Sequence, residues 1–152
     1  MTPRFLRRGW YVMAAQRLGT NAVVGVALSV LAGLTLGPTF LLVADLLGGE
    51  RGPLATLVLT LTAVSAGVAL LAALAALVVP KPAGRVLVGA GAVHALCQVT
   101  AVGISLYRSF DQLNTTMFTL GIAGFLCVPG VGLVLLGRSV QRKAAALGPG
   151  PA

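Results

Sequence analysis

The stretch RVLVGAGAVHALCQVTAVGISLYR, residues 85–108, places 22 uncharged residues between two arginines. A helix needs about 20 apolar residues to cross a hydrocarbon layer of roughly 30 Å. A core helix of a water-soluble domain rarely runs so far without a charge. The same stretch holds the only histidine of the chain, His94, with Cys97 and Gln98 beside it. It reads as a membrane span with polar groups near its centre, and both parts of that reading extend along the chain.

Three similar runs follow from the placement of charge. Arg17 and Asp45 enclose 27 uncharged residues, Arg51 and Lys81 enclose 29, and Asp111 and Arg138 enclose 26. Spans are expected near 20–45, 54–79, 85–106 and 115–137. The connections are short, so neighbours in sequence must run antiparallel. The fold class expected is an all-α integral membrane protein, a bundle of four antiparallel transmembrane helices. It divides into a basic, amphipathic N-terminal segment (1–18), a membrane domain (19–138) and a tail that is first basic and then rich in Gly and Pro (139–152). The first apolar run is too long, and starts too late, for the core of a secretory signal.

Composition agrees. Of 152 residues, 57% are hydrophobic and only 9% charged, against about 25% charged in soluble domains. The apolar mass is Leu, Val, Ala and Gly, which suits close helix packing in lipid. The preference for Ala, Gly, Val and Arg suggests a GC-rich bacterial genome. Two cysteines within apolar runs make neither a disulfide framework nor a CxxC pair.

The net charge of +8 is a matter of position. With a cytoplasmic N-terminus, Arg4, Arg7, Arg8, Arg17, Lys81, Arg85, Arg138, Arg142 and Lys143 lie inside, and only Arg51 and Arg108 outside. Asp45, Glu50 and Asp111 all fall outside. Lys and Arg collect on the cytoplasmic side of membrane proteins, so both termini are expected there, in the cytoplasmic (inner) membrane. The partner of that charge is then the anionic headgroups of the inner leaflet, and nucleic acid is not expected. The N-terminal segment, with Leu6, Trp10 and Met13 on one side, suits a helix lying among headgroups.

Small residues mark expected helix contacts. Asn21, Gly25, Ser29, Gly33 and Gly37 recur every fourth position of span 1, before a kink expected at Pro38. In span 2, Thr62, Ala66, Ala69 and Ala73 alternate steps of four and three, with Ala55 and Ala76 beyond. Span 4 carries Gly121, Gly124, Cys127 and Gly130. Such patterns let backbones approach closely, and they suggest self-association or membership of a larger membrane complex.

On span 3, Gly91, His94, Gln98, Ala101 and Ser105 fall within about 80° of one another at 100° per residue. The polar stripe His94, Gln98 and Ser105 should face protein, since lone polar groups are costly against lipid. The expected role of His94 is packing, with Gln98 its neighbour one helical turn on. Alternatives are a polar path for a proton or small solute along span 3, and a haem or metal ligand role for His94, with Cys97 and Cys127 as further metal ligands. The spans hold no interior carboxylate to couple transport, one histidine is short of two axial ligands, and one His with two Cys is too few for a closed zinc site. No catalytic set and no phosphate-binding loop is visible, so no enzyme activity and no cofactor are expected. The function these features favour is a small, non-catalytic accessory or scaffolding subunit.

Overall fold

The computed structural model describes the backbone of residues 4–108 and 113–146, and the side chains of residues 19–44, 46–108 and 116–145. It is all-helical: α1 (Arg4–Leu34), α2 (Leu36–Val43), a single 3-10 turn (Ala44–Leu46), α3 (Gly52–Ala75), α4 (Pro80–Arg108) and α5 (Leu113–Ala146). Four segments are long and apolar enough to cross a membrane: Gly19–Val43, Gly52–Ala75, Pro80–Arg108 and Thr116–Ala145. Their lengths of 24 to 30 residues correspond to about 36–45 Å of helix.

The boundaries differ from the sequence reading where prolines and glycines decide them. The α3–α4 turn does not fall in the PKPAGR stretch but in the apolar residues Ala76–Val79. Pro80 disfavours the helical conformation for Val79, so α3 stops before it. Pro80 and Pro82 then lie in the first turn of α4, where no backbone donor is needed. At the other end, α5 continues past residue 138 to Ala146, and no glycine stands between Gly137 and Gly148 to end it. The basic N-terminal segment is helical from Arg4 and runs on into span 1 as one helix. Its proposed seat among headgroups depends on side chains outside the described residues.

Span 1 breaks at Thr35, between α1 and α2. Pro38 has no N–H to offer the carbonyl of Leu34, and its ring crowds that carbonyl. Thr35 N–H is shared between the carbonyls of Leu31 and Ala32, at 3.2 and 3.3 Å, and Thr39 N–H resumes the pattern at 2.9 Å to Thr35. The break redirects the chain. Below it, α1 packs on α3 and α5; above it, α2 packs chiefly on α4 and α3. Consecutive helices pack against each other, and α1 closes the ring onto α5.

The closest contact is between α4 and α5. A Cβ on Gly91 would stand 2.7 Å from Gly130 O, and one on Gly137 would stand 2.7 Å from Gly84 O. Gly84 and Gly91 are seven residues apart, as are Gly130 and Gly137, so both pairs lie on one antiparallel seam. Along span 2, Ala55, Thr62, Ala66, Ala69 and Ala73, and Ala76 just past the end of α3, are all buried.

The small-residue ridges of spans 1 and 4 divide. Gly25 and Ser29 are buried, and a Cβ on Gly25 would meet Ala73 Cβ at 2.8 Å. Gly33, Gly37, Gly121 and Gly124 would meet nothing within 4 Å. The reason is geometric. On span 1 a step of four residues advances about 400° at 100° per residue, so five such positions wind about 160° around the helix; on span 4 a step of three falls about 60° short of a turn, so Gly121 and Gly130 lie about 180° apart. One neighbour cannot cover them all.

Candidate functional site

The core is layered. One apolar cluster holds Ala32, Ala66, Ala69, Leu87, Ala90 and Leu133, and a second holds Leu42, Val43, Ala55, Val58, Ala101 and Leu126. Between them, at the level of the span 1 break, lie Thr35, Thr39, Thr62, Ser65, His94 and Gln98. Five of these six are 0% exposed, and Ser65 is 4% exposed. Three consecutive spans contribute to a polar layer near their middle: the first through its break and α2, then α3 and α4.

Thr35 is its hub. Its hydroxyl has one hydrogen and two lone pairs. It donates to Ala32 O at 2.7 Å and accepts from Gln98 Nε2 at 3.2 Å. His94 Nε2 stands 3.3 Å from the same oxygen, and His94 Nδ1 stands 3.2 Å from Ser65 Oγ. The Ser65 hydroxyl in turn donates to Thr62 O at 2.9 Å. Each ring nitrogen thus faces a hydroxyl that already donates to a backbone carbonyl, and the neutral ring has one N–H to give to one of the two. Thr39 turns its single hydroxyl hydrogen towards both Gln98 Oε1, at 2.8 Å, and Thr35 O, at 2.7 Å. Thr62 returns its hydroxyl to Val58 O at 2.8 Å.

The stripe on α4 therefore faces protein, but its members meet different partners. His94 and Gln98 are not bonded to each other; they share Thr35. Ser105 lies farther along and bonds Thr119 of α5 at 3.0 Å. Ala101, fully buried, fills the same face between Gln98 and Ser105. Cys97 is buried in the second apolar cluster and Cys127 is half-buried; both are free thiols. Among the described residues, no three His, Cys, Asp or Glu side chains converge on a possible metal position, so His94, Cys97 and Cys127 are not brought together.

The sequence reading missed Thr35, Thr39 and Ser65, and it missed the glycine pairing of α4 with α5. Signals existed. Thr35 and Thr39 bracket Gly37-Pro38 at a spacing of four, and Ser65 follows Thr62 by three. The seven-residue steps from Gly84 to Gly91 and from Gly130 to Gly137 are complementary in an antiparallel pair. One further polar contact joins the other ends of the spans: Lys143 Nζ donates to Asn21 Oδ1 at 3.2 Å.

What this arrangement does chemically is to hold helices in one register. Each hydroxyl, amide and ring nitrogen of the layer faces a partner from the chain itself. No known protein family, curated protein or solved structure matches this chain.

Proposed function

We propose that this chain is a multi-pass protein of the cytoplasmic membrane with both termini inside, and that it serves as a non-catalytic accessory or scaffolding subunit. It would pack with copies of itself or within a larger membrane complex. The observation that carries this reading is the closure of the polar layer. Polar groups in the middle of a membrane commonly line a path or hold a ligand. Here Thr35, Thr39, Ser65, His94 and Gln98 are turned inward and bonded to one another. The outer surface of the spans is left to apolar side chains and to open glycines such as Gly33, Gly37, Gly121 and Gly124, against which another helix could approach closely. A solute path along α4 or a haem on His94 draws less support, since both ring nitrogens already face hydroxyls and Ala101 interrupts the stripe.

Co-purification from a mild detergent tests the reading. The tagged chain should elute well above the size of a monomer in its micelle, either as an oligomer or with a stoichiometric membrane partner. A monodisperse monomer with no partner counts against it. So does a Soret absorption band in the purified protein.

A further inference from the structure

We draw no further inference here: the strongest candidate, the outward apolar face of α5 that runs from Met117 past the open glycines Gly121 and Gly124 to Val128, Val131 and Leu135, is an unpartnered helix face, and nothing in the structure shows what covers it.

Discussion

At the scale of single residues, the centre of the polar layer is Thr35 rather than His94. Gln98 Nε2 and His94 Nε2 both meet one hydroxyl, which itself donates to Ala32 O. Thr35→Val keeps the shape and removes that hydroxyl, leaving a buried amide donor and a buried ring nitrogen without their partner. The expected cost is about 1–3 kcal/mol, the penalty for unsatisfied buried polar groups. His94→Leu removes one of these two and leaves Gln98 with both of its partners, Thr35 and Thr39. Its expected cost is nearer the roughly 0.6 kcal/mol average of a hydrogen bond between membrane helices. His94→Gln can still donate to Thr35 and accept from Ser65, so assembly and cell phenotype should be kept. Unfolding midpoints in detergent rank the three. A larger loss for His94→Leu than for Thr35→Val would put the histidine back at the centre. Loss of function in His94→Gln with the fold intact would mean that the ring titrates or binds a ligand.

At the scale of helices, the same side chain type has opposite consequences by position. Gly91 and Gly130 bring two backbones together, so Gly91→Ala sets a methyl 2.7 Å from Gly130 O. Backbone cannot move aside as a flexible side chain can. The expected destabilisation is about 1–3 kcal/mol, as for other overpacked sites. Gly33 has open space around its Cβ position. Gly33→Leu should therefore leave the unfolding midpoint of the single chain nearly unchanged, within about 0.5 kcal/mol. If copies or partners pack on that face, it should still reduce the size of the assembly. Sedimentation or light scattering beside the unfolding measurement separates the two effects. A large loss of chain stability in Gly33→Leu would mean that the face is covered within one bundle. Pro38 acts at this scale too. By breaking span 1 at Thr35, it lets α2 lean on α4, and this is what carries Thr35 and Thr39 to His94 and Gln98.

At the scale of the molecule, the spans present apolar groups outward and place nine basic residues at one end. Reporter fusions at the two termini and in the Lys81–Arg85 region should read cytoplasmic, and fusions near Glu50 and Asp111 should read outside. An outside signal from either terminus reverses the orientation. The layered core also sets how the bundle can slip. Moving α2, α3 or α4 by one turn would place a hydroxyl, amide or imidazole of the central layer against an apolar neighbour, so the polar layer holds the axial register of these helices that alanine and leucine alone would leave loose.

Four apolar spans and their charge asymmetry were legible in the chain, because spacing between charges is a property of the sequence itself, whereas their ends were not, since α4 starts at Pro80 and α5 runs on through the basic residues to Ala146. The kink before Pro38 and the inward turn of His94 and Gln98 were legible for a related reason: one follows from local backbone chemistry, the other from the cost of polar groups in hydrocarbon. The partners were not. Every span is apolar nearly all round, so no amphipathic face says which side meets which neighbour. Gly33 and Gly91 look alike in such a sequence. Only the packed bundle decided that Gly91 lies against Gly130 while Gly33 lies open, and that His94 bonds Thr35 and Ser65, 59 and 29 residues away, instead of Gln98 on its own helix. Those choices depend on the rotation and tilt of each helix about its neighbours, which are set by mutual fit across the whole core and by no short stretch of the chain.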